Sequence, residues 1–143
     1  MYKAQKGFTL IELVVVITIL GILAAFAFPR FAALEVEARI ATTNGLAGSI
    51  RAASSLTHAL FLAQGSPTTV DMEGQTINIV EGYPDAADID NTLQDITGFG
   101  FIPDVPVGTS VFDATGASGV CIVTYVEAAA GAAPTITVDT TAC

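Results

Sequence analysis

One carboxylate stands where physical chemistry disfavours it. Glu12 lies inside an apolar run of 21 residues, Phe8 to Phe28, in which only Thr9, Glu12 and Thr18 are clearly polar. Such a run matches the ~20 residues that a helix needs to cross a bilayer core. A carboxylate inside it costs at least ~2 kcal/mol, and such residues are usually functional. It calls for a positive partner, and the nearest source is the amine that a cut after Gly7 would free on Phe8. A single span has no use for that pair. A polymer does, because the carboxylate of one subunit can meet the amine of a neighbour. The other chemistry-bearing residues are sparse. The one histidine, His58, follows Ser54 and Ser55 by about a helical turn, but acyl transfer also needs an orienting carboxylate, so His58 reads as a satisfied or surface side chain. Asp85, Asp88, Asp90 and Asp95 cluster at a spacing that fits no EF-hand and read as solvation of a short helix. Two cysteines and one histidine fall short of four zinc ligands. No catalytic residue, metal or cofactor is expected.

The charge distribution is lopsided. The five Lys and Arg all lie at or before Arg51, and eleven Asp and Glu follow with no further cation. Losing the first seven residues would remove Lys3 and Lys6 and take the formal charge from −9 to −11. Such a head is a poor partner for nucleic acid, where phosphate neutralisation dominates affinity, and the charge reads as solubility. Lys3 and Lys6 would keep the N-terminus on the cytoplasmic side, with one insertion. The head is then extracytoplasmic, where its two cysteines, Cys121 and Cys143, can oxidise. They allow one intramolecular pairing, and closing a loop of about 20 residues would stabilise by roughly 3 kcal/mol.

These residues need elements to hold them. The helix is expected to run from about Phe8 to about Ala63, through Pro29, because good helix formers continue after the proline. In its second half, Leu46, Ile50, Ala53 and Leu60 fall on one face and Arg51, Ser54, Ser55 and His58 on the other. Gly45 and Gly48 are weak points in that half, and Gly21 with Ala24 and Ala25 makes a small-residue surface in the span. Gln64-Gly65-Ser66-Pro67 ends the helix. A hairpin is expected over Val70–Met72 and Thr76–Val80 with its turn near Glu73-Gly74. Gly82-Tyr83-Pro84 reads as a turn, and Asp85 as the cap of a short helix presenting Ile89, Leu93 and Ile96. Residues 98–108 read as loop, with Phe99, Phe101 and Ile102 covering the core. Ser110–Phe112, Val120–Val126 and Thr135–Val138 read as strands, the last two adjacent. The fold class is α+β: one long N-terminal helix packed on a small, mainly antiparallel sheet.

Gly7-Phe8-Thr9-Leu10-Ile11-Glu12 resembles the prepilin processing motif of the type IV pilin family, the class with a short leader. The resemblance is close over about residues 3–40 and covers the layout of the rest. It implies that prepilin peptidase cuts between Gly7 and Phe8, that Phe8 is N-methylated, and that Glu12 pairs with the Phe8 amine of an adjacent subunit. It places Pro29 where the family has a helix-bending proline, and it makes a disulfide-bounded C-terminal segment, Cys121 to Cys143, an expected feature. The pieces His58-Ala59-Leu60 with Gln64-Gly65, and Gly82-Tyr83-Pro84, resemble the mannose-sensitive haemagglutinin type of pilin.

The resulting organisation is a cleaved leader over 1–7, a membrane-spanning and filament-core helix over 8–29, an amphipathic half over 30–64, and a β-rich head over 65–143 closed by the 121–143 loop. The resemblance implies a structural protein: the major subunit of a type IV pilus. Its partners would be copies of itself, prepilin peptidase and the assembly machinery, and the inner membrane before assembly; no nucleic acid would contact the head. The precursor would be a single-pass inner-membrane protein and the product an extracellular fimbrium. The alternatives are a pseudopilin of a type II secretion system, or a minor or DNA-uptake pilin. Two plainer readings of the N-terminus are a secretory signal peptide cut near Ala25-Phe26-Ala27 and a simple membrane anchor.

Overall fold

In the computed structural model, residues 7–115 and 120–143 are described. The leader positions Met1 to Lys6, including Lys3 and Lys6, lie outside the described residues. The element that dominates the chain is helix α1, Leu10–Ala63. It continues through Pro29, although a proline inside a helix has no N–H for the carbonyl four residues back. The chain divides into two units, Met1–Glu37 and Ala38–Cys143.

In the first unit α1 stands alone. Its large apolar side chains from Leu10 to Phe31 are all exposed, none less than 41%. Among the described residues α1 is the one helix long and apolar enough to cross a membrane. The hydroxyl of Thr18 is not left bare, because it donates to the carbonyl of Val14, with the Val15 carbonyl at 3.2 Å.

In the second unit the C-terminal part of α1 packs on β-structure. Strands β1 (Thr69–Met72), β2 (Gln75–Val80) and β3 (Tyr83–Pro84) form one antiparallel sheet in chain order. Strands β4 (Phe99–Ile102), β5 (Thr109–Ala114), β6 (Ile122–Val126) and β7 (Thr135–Asp139) form a second, also antiparallel and in chain order. Alternation along β5 and β6 puts Ser110, Phe112, Val123 and Tyr125 on the buried face, where period-two patterning requires them. Ser110 pairs with Tyr125 and Phe112 with Val123 across the ladder. Leu46, Ala47 and Ile50 of α1 meet this face, with Ala86 and Ile89 completing the core.

Four expectations are corrected. First, the buried stripe of α1 runs Thr43, Leu46, Ala47, Ile50, Ser54 and Thr57, while Leu56 is 55% exposed. Ser54 therefore faces inward rather than lying on a polar face. Thr43 and Thr57 tolerate burial because their hydroxyls donate to the carbonyls of Arg39 and Ala53, four residues back. Second, the turn near Tyr83 lies one step earlier. Glu81 and Gly82 have φ of 52° and 88°, as Glu73 and Gly74 have 49° and 86° in the preceding hairpin, the positive pair that a tight hairpin turn requires. Tyr83-Pro84 is thus an edge strand, a place where proline is tolerated. Third, Asp85–Ile96 is not an α-helix. Asp85 does make the expected cap bond, its Oδ1 accepting the Asp88 N–H at 2.8 Å, but only a 3₁₀ turn follows at Asp90–Thr92, where the Thr92 hydroxyl donates to the Ile89 carbonyl at 2.6 Å and competes with the helical ladder. Ile89, Leu93 and Ile96 still reach the core. Fourth, the segment read as loop after Gly98 contains β4, in which Phe101 packs on Phe112 with ring centroids 4.8 Å apart. Ile102, at 48%, is exposed and does not cover the core.

Candidate functional site

The N-terminus of α1 is built by two side chains. Gly7, Phe8 and Thr9 are outside the helix and exposed, Phe8 at 93%. Leu10 begins the helix, so Thr9 occupies the cap position and Glu12 the third helical position. Glu12 Oε2 accepts the Thr9 backbone N–H and the Thr9 hydroxyl, both at 2.8 Å, and the Thr9 hydroxyl oxygen accepts the Glu12 N–H at 3.3 Å. This is a reciprocal capping box. The Leu13 N–H closes the first turn on the Thr9 carbonyl at 3.3 Å. The Thr9-x-x-Glu12 spacing carries this signal in the sequence, and reading Glu12 only as an unmatched membrane charge misses it. Capping gives Glu12 a use within one chain, so a polymer is not required to account for the charge. The geometry also separates two jobs. The Gly7–Phe8 bond lies in non-helical chain, while the helix starts two residues beyond it.

The C-terminal end is fixed to the helix. Cys121 and Cys143 form a disulfide, and both are buried, at 0% and 7%. The Thr43 hydroxyl lies 3.3 Å from Cys121 Sγ, and Arg39 donates to the Cys143 carbonyl at 3.3 Å. The Ala142 N–H donates to the Val120 carbonyl at 3.1 Å.

His58 and its neighbouring serines are not brought together as a catalytic group. His58 Nδ1 lies 2.8 Å from the Gly82 carbonyl, and its ring stacks on Tyr83 with centroids 4.3 Å apart. The Ser55 hydroxyl donates to the Arg51 carbonyl at 2.9 Å. A side chain on Gly82 would meet His58 Nδ1 and the Phe61 ring at 3.0 Å, so glycine there permits both the positive φ and the close approach.

The acidic segment shapes turns. Asp88 Oδ2 accepts the Asn78 backbone and side-chain N–H groups at 2.9 and 2.7 Å. Asp95 Oδ1 accepts the Thr97 hydroxyl and N–H at 2.5 and 2.7 Å, which hold its carboxyl below the usual range. Asp139 is lowered in the same way by Thr141. Burial pushes Asp85 and Asp90 up; for Asp85 the Asp88 N–H opposes the shift and the Asp88 and Glu127 charges reinforce it. Among the described residues no three His, Cys, Asp or Glu side chains converge as a metal site.

Residues 2–28 match the family described as Prokaryotic N-terminal methylation motif. The chain is 39% identical over 95 residues to a type IV major fimbrial protein of Dichelobacter nodosus, covering 60% of this chain and 57% of that protein. It is 48% identical over 63 residues to a type IV narrow pilus major component of Thermus thermophilus, covering 44% of this chain and 53% of that protein. A fimbrial protein of Moraxella nonliquefaciens is 39% identical over 71 residues, covering 48% and 46%. No solved structure matches. The chain thus carries the N-terminal methylation motif of type IV prepilins, and its curated relatives are type IV fimbrial proteins. The matches span about half the length of those relatives.

Proposed function

We propose that this chain is the major structural subunit of a type IV pilus. The observation that carries the reading is the coincidence of the methylation motif, residues 2–28, with a capped helix whose large apolar side chains are exposed among the described residues. Such a surface needs lipid or like helices around it. As a precursor the chain would cross the inner membrane once, with its leader inside. Prepilin peptidase would cut the Gly7–Phe8 bond, and Phe8 would be N-methylated. Extraction then moves the helix from lipid into a bundle of like helices, so apolar burial is largely kept rather than newly gained.

Register in that bundle would come from Glu12. Its carboxylate is already held by Thr9 in the single chain, and one carboxylate offers about four acceptor sites. It can therefore keep its cap and also receive the Phe8 amine of a neighbour. A misplaced subunit would leave a charge unpaired in an apolar bundle, which disfavours wrong registers. Repetition of one contact without closure gives a filament. Pro29 would let the helix adjust in the bundle, and the acidic heads, tied by the Cys121–Cys143 disulfide, would form the outer surface. The role is structural rather than catalytic. In cells carrying Glu12→Ala, membrane insertion should be intact and surface filaments absent or strongly reduced, as read by membrane fractionation and electron microscopy. Normal piliation would sink the pairing argument.

A further inference from the structure

One surface of the head has no use in the single chain. Beside α1 lies a groove of about 520 Å³. Ala52 and Leu56 of α1, Met72 of β1 and Leu93 give it an apolar lining, and the exposed Glu73 and Asp95 give it negative charge. Leu56 has no place in the core and is largely exposed here. Each carboxylate has an oxygen to spare. Gln94 donates to Glu73 Oε1 at 3.1 Å, and both Thr97 donors go to Asp95 Oδ1, whereas a carboxylate accepts at two oxygens.

The helix face that leads into the groove is made of small residues. Gly45, Gly48, Ala52 and Leu56 follow one another at i, i+3, i+7 and i+11 on one face, and all four are exposed. A Cβ at Gly45 or Gly48 would meet nothing within 4 Å. The fold of the single chain therefore does not need glycine at either position, although each weakens the helix relative to alanine. What glycine permits at such a face is the close approach of another backbone.

The other half of the match is Arg30. Of the three arginines, Arg39 and Arg51 donate to head carbonyls, those of Cys143 and Ile136. Arg30 has no carboxylate one turn away, because Phe26, Ala27, Ala33 and Leu34 occupy its i±3 and i±4 positions. Phe26, Arg30 and Leu34 make one i, i+4, i+8 ridge, a cation between two largely exposed apolar side chains. An arginine drawn among like helices needs an acid, and its own helix offers none within a turn.

We propose that the groove of one subunit takes the ridge of Phe26, Arg30 and Leu34 from another copy, with Arg30 on Glu73 and Asp95 and the flanking apolar side chains on Leu56, Met72 and Leu93. The proposal rests on the pilus reading and names a contact within that filament. Charge is complementary, since a fork of five N–H donors meets two carboxylates. Ala27 and Ala33 beside the ridge, facing Gly45 and Gly48, let the two helices come close. Ridge and groove are different parts of the chain, so the contact is head-to-tail and repeats without closing.

The test uses the full chain in cells, with fibres sheared from the surface. Ala27→Cys and Gln94→Cys in one chain put a thiol on each side of the contact, at positions that are exposed. A short bismaleimide should link these subunits into a ladder of multimers on a denaturing gel, and neither single variant should pass beyond a dimer. The native cysteines are bonded to each other and do not react. Arg30→Glu should insert in the membrane normally yet yield about tenfold less fibre, because like charges then face each other. Glu73→Lys with Asp95→Lys should restore the fibre in that background. Gly48→Leu should leave the melting temperature of the chain in micelles unchanged and still lower the fibre yield. Where the double-cysteine chain does not assemble, the charge swap decides. No sheared fibre from the parent chain would remove the pilus reading and this contact with it. Fibres without the cross-link, or full yield from Arg30→Glu, would overturn the contact alone. So would rescue of Arg30→Glu by Glu37→Lys and not by the groove pair, which would put Arg30 against a neighbouring helix instead.

Discussion

Replacing both Cys121 and Cys143 by alanine should weaken the head more than any single surface change. The disulfide spans a sequence separation of 22, and a cross-link of that reach removes unfolded-chain entropy worth roughly 3 kcal/mol. The native side adds to this. The sulfurs are buried with Ala114, Ile40 and Phe99 around them, and the Cys143 carbonyl is held by Arg39. Freed of the cross-link, the end of the chain after β7 still has that bond, the Ala142–Val120 backbone bond and the Thr141 bonds to Asp139. For a domain of about 100 residues, 1 kcal/mol shifts the melting temperature by roughly 4–8 °C, so the expected fall is roughly 12–24 °C. The assay is thermal unfolding of the full chain in micelles, followed by near-ultraviolet circular dichroism, which reads head packing and not the lone helix. Protease nicking after β7 should appear in parallel. A fall below roughly 4 °C, the equivalent of about 1 kcal/mol, would refute the argument. It would mean that β6–β7 pairing and the Arg39 contact order the C-terminus without the cross-link.

Other outcomes follow from the same geometry. Thr9→Ala removes the cap hydroxyl and should cost about 1 kcal/mol, read as roughly fivefold faster amide exchange at Leu13; unchanged exchange would mean that the box of Thr9 and Glu12 does not hold the first turn. Ile50→Ala should cost about 2–5 kcal/mol, whereas Leu56→Ala should stay within about 0.5 kcal/mol; equal effects in denaturant titrations would contradict the buried stripe described above. The pH dependence has two signs. Asp85 and Asp90 have raised folded pKa values, so their contribution is complete below the unfolded value of about 3.9 and is lost as pH rises through their folded values. Asp95 and Asp139 are depressed, so theirs is present above about 3.9 and is lost as pH falls through their folded values. Melting temperature should therefore rise as pH drops from neutral towards the carboxylate range and fall below it, with Asp85→Asn and Asp90→Asn flattening the rise. A monotonic fall from neutral pH would be the contrary result.

The parts of the fold that were legible are those where pattern and packing agree. The run Phe8–Phe28 and the good helix formers after Pro29 mark α1, because nothing local competes with the helix there. Ile122–Val126 and Thr135–Asp139 are visible because β-branched residues suit a half-buried ladder. The misses occur where side chains act on the backbone or where contact overrides polarity. Asp88 bonds away from the segment to Asn78 and Thr92 bonds back to the Ile89 carbonyl, and a 3₁₀ turn stands where a helix was expected. Phe99–Ile102 becomes a strand because β5 pairs with it, and Gly100 hides that. Ser54 and Thr57 go inward because Leu46, Ala47 and Ile50 set the helix rotation. At the N-terminus, Gly7, Phe8 and Glu12 stood out by type, but Thr9, which holds Glu12 in place, was visible only through the capping-box spacing.

The most direct test of the pilus reading is N-terminal sequencing and intact mass of fibres sheared from the cell surface. The account predicts a chain that begins at N-methyl-Phe8 and is two hydrogens lighter than its reduced form, from the Cys121–Cys143 disulfide. A processed chain that stays with the envelope, with no sheared fibre, would favour a secretion pseudopilus. A chain that begins at Met1, or near Phe28, would contradict the account at its first step.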